Sequence, residues 1–419
     1  MSPPSCGNAS ASFPATRERT RSPMNPSFPV PFDRRIVAID LVRGLVMILM
    51  ALDHTRDYFS RVDFDPLDLN HSTPDLFLTR WITHFCAPLF IYLSGVSAYL
   101  SLHRTGDAPG QARLLWQRGL LLIVLELTWV HWLGWAFSLD VRRTVGGVLW
   151  AIGWSMIMLS PLIRLRPASL LIAGSLMIVT HNLLDGITPE TFGPLAWLWR
   201  ILHAGGSFDI LFGARFVALY PLIPWVGLMM AGFGCGPLFL RDAPGRRQWL
   251  IRWGWGLALA FVWLRAGNLY GDPSPWEAHE SDLATLLSFL NCTKYPPSLL
   301  YLLMTLGPGL LLLAALDRPP PRWLQPVNVF GQVPLFFYLL HLPLIHGLAA
   351  LIDLGRYGRA NWQFGWPFVA ERLPKPPDHG FGLLIVYLVT AVIILSLYPL
   401  CRWYAGLKRT QTSLWARWL

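Results

Sequence analysis

The sequence predicts an all-α polytopic membrane protein, a bundle of about ten transmembrane helices with both termini cytoplasmic. Three observations carry this expectation. Long apolar stretches recur along the whole chain at the length a bilayer requires. Charged residues make up only 14% of the chain against 53% hydrophobic ones, with a mean hydropathy of +0.42, whereas soluble domains hold about 25% charged residues. The 21 tryptophans suit a protein whose helix ends sit at membrane interfaces. The spans are placed over 36–59, 79–102, 114–137, 146–163, 168–185, 215–239, 248–266, 296–316, 326–350 and 381–402.

The first span is the most informative. It carries Asp53, His54 and Asp57 in an otherwise oily run, and an ionisable group in hydrocarbon is costly unless it faces protein or water. At about 1.5 Å per residue, Asp53 lies about 20 Å beyond Asp40. The Asp53 group therefore belongs to one membrane face and Asp40 with Arg43 to the other. Arg104, Arg113, Arg118, Arg241, Arg246, Arg247 and the 402–409 segment fall on one side of the predicted spans. Asp63, Asp65, Asp68, Asp75, Glu277, Glu280 and Asp282 fall on the other. The positive side faces the cytoplasm, which puts Asp53, His54 and Asp57 at the external face. The net charge of +10 is scattered among loop ends and so reflects topology, with no nucleic-acid partner expected.

The loop after the first span holds His71 among carboxylates, Asp75 included. It reads as a solvated surface histidine, or as a base or acyl acceptor whose ring a nearby aspartate orients. The loop lacks the spacing of a calcium-binding EF-hand. The second span opens with His84 and continues through Ser94, Gly95, Ser97 and Ala98, small residues that mark a close helix contact. Glu126 sits mid-span in the third, as a functional acid or a paired structural one. Lys294 and Tyr295 precede Pro296 and Pro297 at the start of the eighth span; Lys294 is a snorkelling lysine or a partner for developing negative charge. The ninth span adds Asn328, Gln332, His341 and His346, the two histidines projecting on different faces.

Residues 1–34 are polar and rich in Ser, Pro and Arg, with no apolar core; they read as a disordered cytoplasmic tail, not a signal peptide. Residues 35–403 form the membrane domain and 404–419 a basic cytoplasmic tail. The five cysteines are scattered without C-x-x-C spacing, so neither a disulfide framework nor a metal site is expected. No nucleotide-binding loop, dinucleotide fingerprint or internal repeat stands out.

Spacing alone stops at a helix bundle with an external His/Asp/Lys site. The stretch Arg34-Arg35-Ile-Val-Ala-Ile-Asp40-Leu-Val-Arg43-Gly44, with Phe85-Cys-Ala-Pro88-Leu-Phe-Ile-Tyr-Leu-Ser94-Gly95 after the loop, resembles the catalytic domain of the heparan-alpha-glucosaminide N-acetyltransferase family, in a bacterial form. Tyr220-Pro-Leu-Ile-Pro224-Trp225-Val-Gly227, Lys294-Tyr-Pro-Pro-Ser-Leu and Val329-Phe-Gly-Gln-Val-Pro-Leu-Phe-Phe-Tyr338-Leu-Leu-His341 extend the likeness across about 34–402. The resemblance implies transfer of an acetyl group from cytosolic acetyl-CoA to an amino sugar across the membrane. It implies a catalytic histidine in the loop between the first two helices, where His71 matches best. Asp53 and His54 stand where the lysosomal members have an asparagine-containing segment, a departure in local chemistry.

The expectation is therefore an inner-membrane acyltransferase of the bacterial cell envelope that modifies glycans, with acetyl-CoA as co-substrate and no bound cofactor. Its partners are the lipid bilayer, acetyl-CoA, an extracytoplasmic sugar acceptor and, in a homodimer, a second copy of the chain. His71 takes the acceptor's proton or carries the acetyl group. Asp53, Asp57 or Asp75 holds its ring, and His54 or Lys294 neutralises the tetrahedral oxygen. His84, Tyr295, Gln332 and His341 line or support the substrate site. Arg104, Arg113, Arg246 and Arg247 contact the CoA phosphates or serve as positive-inside anchors. The competing readings are a transporter or flippase acting through Glu126, and a non-catalytic membrane partner.

Overall fold

The computed structural model describes residues 1–2, 35–210, 213–365 and 374–410. A compact unit begins at Arg35. Residues 3–34 of the expected N-terminal tail and 411–419 of the expected basic tail lie outside the described residues.

The described chain is an all-α membrane bundle, as the apolar patterning predicts. Helix α1 (Val37–Phe59) leads to α2 (Pro74–Trp81), which has Pro74 at its first position and Asp75 in its first turn, both favourable at a helix N-terminus. A 3₁₀ turn, Ile82–Phe85, joins it to α3 (Cys86–Thr105). Gly106 ends α3 in the left-handed conformation, φ 65°, where glycine carries no Cβ penalty. Asp107 then caps α4 (Ala108–Leu125) by accepting the Gly110 N–H at 2.9 Å. The helix continues through a π-helical stretch, Glu126–Ala136. Next come β1 (Arg143–Gly146), α5 (Val148–Leu159), α6 (Pro167–Thr180), α7 (Ala196–Trp199), β2 (Gly206–Asp209) and β3 (Arg215–Ala218). The remaining helices are α8 (Leu222–Phe239), α9 (Ala243–Ala266), α10 (Asp282–Leu290), α11 (Leu299–Leu316), α12 (Gln325–Gln332), α13 (Pro334–Tyr357) and α14 (Leu383–Thr410).

Seven helical runs among the described residues are long and apolar enough to cross a membrane. The three other expected spans correspond to α1, α5 and α9. Helices α1 and α9, of 23 and 24 residues, have the length but carry several charges, and α5 is short. Two expected boundaries change. The span expected over 215–239 starts as strand β3, and the one expected over 326–350 is two helices broken at Val333–Pro334. The three short strands form one sheet in the order β1-β3-β2, β1 parallel and β2 antiparallel to β3. Helix α14 runs to Thr410, past the expected boundary at 403.

Helix α1 is the hub, packed against α3, α11, α12, α13 and α14. Helices α3 and α8 share the most extensive interface. At Gly95 an added Cβ would strike the Met229 carbonyl, and at Gly232 it would strike that of Tyr92; the close contact expected from the small residues of α3 is therefore with α8. Leu384, Leu388, Val392 and Leu395 on α14 turn outward, the surface an apolar solvent requires.

Candidate active site

The Asp53 end of α1 holds a buried ionic network. The spacing i, i+3, i+4 puts Asp53, Arg56 and Asp57 on one helix face. Arg80, at the end of α2, gives Nη1 to both Asp53 oxygens at 2.8 and 2.7 Å. Arg56 pairs with Asp53 at 3.0 Å and with Asp57 at 2.6 Å. Two acids and two guanidiniums thus neutralise one another where solvation is poor.

His54 stands beside this network. Its Nδ1 is 3.5 Å from Asp57, and its ring lies edge-on to Trp135 at 4.8 Å and 5.3 Å from the His341 ring. His341 Nδ1 donates to the Tyr338 carbonyl at 2.7 Å, a bond that assigns the proton to Nδ1 and leaves Nε2 as an acceptor. His346 points elsewhere, its ring nitrogens 2.9 and 2.7 Å from the Gly134 and Gln363 carbonyls.

His84 is fully buried in the 3₁₀ turn, edge-on to Tyr301, whose hydroxyl donates to the His84 carbonyl at 2.8 Å. Lys294 lies within electrostatic reach of both His84 and Asp53, and among the described residues it has no carboxylate within ion-pair distance. Its loop is braced at both ends by Asp272, which accepts the Thr293 N–H and hydroxyl at 2.9 and 2.8 Å and the Ser298 hydroxyl at 2.6 Å. Tyr295, beside Lys294, places its hydroxyl 3.5 Å from that of Tyr220.

The structure thus brings Asp53, His54, Asp57, His84, His341 and Lys294 to one end of the bundle. It keeps His71 apart from the buried network. His71 is exposed on its loop, with Nδ1 2.7 Å from Asp68 and its ring 5.8 Å from that of Phe64. The hydrogen bond from His71 holds the Asp68 carboxyl below its usual range. The loop is tied toward the Lys294 segment by Asn291, whose side chain donates to the Leu67 carbonyl at 3.1 Å. Asp75 is exposed in the first turn of α2 and acts there on the helix dipole.

Two expected placements change. Gln332 accepts from Arg409 at 3.0 Å, at the opposite end of the bundle from Asp53, because α12 ends there. Arg246 is committed to Asp317 through two contacts of 2.8 and 2.7 Å and to the carbonyls of Phe239 and Arg241, so it is a structural clamp and not a free phosphate contact. Arg104 and Arg113 are exposed, and Arg247 is half-buried. A different basic group gathers around the start of α1. Arg43 and Lys408 each lie within electrostatic reach of Arg35, Arg118 and Asp40. Arg35 donates to Asp40 at 3.0 Å, and Arg43 donates to the Leu93 carbonyl and the Ser97 hydroxyl at 3.0 and 2.8 Å.

Glu126 accepts the Leu149 N–H at 2.8 Å and so caps α5, whose first residues have no other side-chain cap. The contact is of the kind a paired structural acid makes.

Residues 35–266, more than half of the chain, match the family model described as heparan-alpha-glucosaminide N-acetyltransferase, catalytic. The chain belongs to this family. It is a multi-pass membrane protein of an acetyltransferase family. No curated protein matches the chain. The matched stretch contains Asp53, His54, Asp57, His71 and His84 and ends before Lys294. Arg80, Arg56 and Asp272, missed as site residues from the sequence, are the partners that position the group.

Proposed function

We propose that this family member moves an acetyl group from cytosolic acetyl-CoA to an amino sugar or glycan on the opposite side of the membrane, in a bacterial cell from the cytoplasm to the envelope. The observation that supports this most is the pair of opposite ends on α1. The basic group around Arg43 and the His54 network are 11 residues apart, about 16 Å along the helix. That separation suits a donor whose charged phosphates sit at one end and whose thioester lies at the other, with the pantetheine arm along α1. Arg118 and Lys408 hold the phosphates, in place of the arginines expected from the sequence. Arg35, already bonded to Asp40, and Arg43, already bonded to Leu93 and Ser97, add positive potential.

At the other end, His71 is the general base, its ring oriented by Asp68 and its loop tied by Asn291 toward the Lys294 segment, so that an acceptor lying between the loop and the network meets both. It takes a proton from the acceptor amine or hydroxyl, whose heteroatom attacks the thioester carbonyl carbon. Lys294 and the Arg80 side of the network stabilise the oxygen of the tetrahedral intermediate. The C–S bond then breaks, and the His71 proton passes to the CoA thiolate. His54, with Asp53 and Asp57, sets the charge around the thioester; Tyr295 borders it, and His84 and His341 back it from the bundle interior.

The test is release of free CoA thiol from acetyl-CoA by the protein in nanodiscs, with a panel of glucosamine acceptors. Acceptor-dependent release is expected, about 100-fold slower or worse in His71→Ala. Arg118→Ala with Lys408→Ala should raise KM for acetyl-CoA several-fold with kcat little changed, and added salt should mask the difference. Unchanged turnover in His71→Ala would move the base to His54 or His84. Absence of acceptor-dependent release across the panel would count against the reading as a whole.

A further inference from the structure

Away from the α1 network, three ligand-type side chains converge from two segments. His181 opens the 3₁₀ turn after α6, and Asp185 closes it four residues later. His203 comes from the π-helical turn that follows α7. A ring nitrogen of each histidine and a carboxylate oxygen of Asp185 all lie within 4.8 Å of one another. His203 Nε2 is 3.1 Å from Asp185 Oδ1, and the two imidazoles face at 66° with centroids 5.8 Å apart.

Both histidines are deeply buried. His181 is 1% exposed and His203 2%. Among the described residues, neither ring nitrogen of His181 meets a hydrogen-bond partner, and neither does Nδ1 of His203. Buried polar groups are nearly always satisfied. His341 and His346 bond carbonyls; His84 also lacks partners at both ring nitrogens but stands in no cluster of ligand-type side chains among the described residues. His181, with neither ring nitrogen partnered, set beside the His203–Asp185 pair points to a shared electrophile.

We propose that His181, Asp185 and His203 bind a divalent zinc-class cation. Two imidazole nitrogens and a carboxylate oxygen form a common zinc donor set, with bonds of about 2.0–2.2 Å. Ligand atoms on such a tetrahedral ion lie about 3.3 Å apart by that bond length, close to the present His203–Asp185 separation. Magnesium and calcium prefer all-oxygen shells, so the histidine pair selects against them. Asp185 is the exposed member and provides the entry side.

The surroundings complete the site. Asn182 Nδ2 donates to Asp185 Oδ2 at 2.8 Å, orienting the carboxylate as an outer-shell partner does. Its Oδ1 accepts the Leu299 N–H at 2.9 Å, at the first residue of α11. Leu299 follows Ser298, which is bonded to Asp272. The ion would therefore clasp the end of α6 to the segment carrying His203, and through Asn182 to the base of the Lys294 loop. Its role is structural, and it stands independently of the acetyl-transfer reading.

The experiment uses the whole chain in nanodiscs, purified without a histidine tag, with metal content measured by plasma mass spectrometry. Co²⁺ serves as a spectroscopic probe displaced by Zn²⁺. The expected result is one Zn²⁺ per chain and a Co²⁺ d–d absorption band that Zn²⁺ abolishes. His181→Gln and His203→Gln should lose both signals, while His279→Ala, an exposed loop histidine, should keep them. Asp185→Asn changes an exposed group without loss of side-chain volume and keeps the test usable if the buried variants fail to fold; it should weaken Co²⁺ binding at least tenfold. A wild-type protein that binds no more Zn²⁺ or Co²⁺ than Asp185→Asn or the His181→Gln/His203→Gln double variant would overturn the proposal.

Discussion

Asp53 on α1 and Arg80 at the end of α2 are joined through both carboxylate oxygens, at 2.8 and 2.7 Å. Arg56 reaches the same carboxylate at 3.0 Å, so one acid fixes two cations from two helices. Asp57 supplies the second negative charge by taking Arg56 at 2.6 Å. The two carboxylates and two guanidiniums balance, and Lys294 then contributes positive potential that the network does not consume. A developing oxyanion at this end of the bundle would meet that potential.

Removing both members of the pair should cost less than the two single removals added together. Asp53→Asn leaves Arg56, Arg80 and Lys294 facing the Asp57 charge alone. Breaking a buried pair from one side costs about 3–5 kcal/mol, and Arg80→Gln should cost a similar amount by stranding Asp53. The double variant should be less destabilised than the sum by about 1–3 kcal/mol, as contacting residues couple. Thermal unfolding of the four proteins in one lipid environment measures the cycle. Strict additivity would show that the contact carries no coupling.

The helical spans, the polar end of α1 and the tight contact at Gly95 were legible in the sequence because each is local to one helix. Periodicity assigns residues to a face but does not say which neighbour meets it. Arg80 lies 27 positions from Asp53, across a loop that no spacing rule closes. Asp272 is read from sequence as a loop acid; only the fold puts it against Thr293 and Ser298. The β1-β3-β2 sheet escaped because its strands are four residues long, too short for an alternation to register. The break at Val333–Pro334 escaped because one apolar run spans both helices, although proline there favours a new helix start. The histidines of the His181 group lie 22 residues apart in sequence, on either side of a turn-rich segment, and carried no spacing signature.

Glu126 tests the difference between a membrane acid that moves protons and one that ends a helix. Its carboxylate receives the Leu149 N–H at 2.8 Å. Glutamine retains an acceptor oxygen there, so Glu126→Gln should preserve both fold and acetyl transfer, lowering stability by about 1 kcal/mol or less. Glu126→Ala should cost about 2 kcal/mol by exposing the first N–H groups of α5 to an apolar setting. Unfolding midpoints and CoA release measured on the same samples separate the outcomes. Abolished turnover in a stable Glu126→Gln protein would return Glu126 to the list of proton carriers.

The exposed pair Asp68–His71 yields a prediction that separates orientation from proton transfer. His71 Nδ1 lies 2.7 Å from Asp68 Oδ2, and this bond, with the Asn70 backbone N–H, holds the Asp68 carboxyl below its ordinary value. A depressed folded pKa makes the contact favourable at and above the unfolded carboxylate value, and its contribution disappears as pH falls through the folded one. Carboxyl ¹³C NMR on the protein in nanodiscs should therefore show Asp68 titrating below an unperturbed aspartate. In His71→Ala the same resonance should move toward the ordinary range, since the largest cause of the shift is gone. His71→Gln, which can donate an N–H from a similar distance, should restore part of the depression without restoring a base. If CoA release stays lost in His71→Gln while Asp68 regains its low titration, orientation and proton transfer are separated at one residue. An Asp68 resonance indifferent to all three side chains would mean that the loop does not hold this pair in solution, and His71 would then lack the partner that orients it.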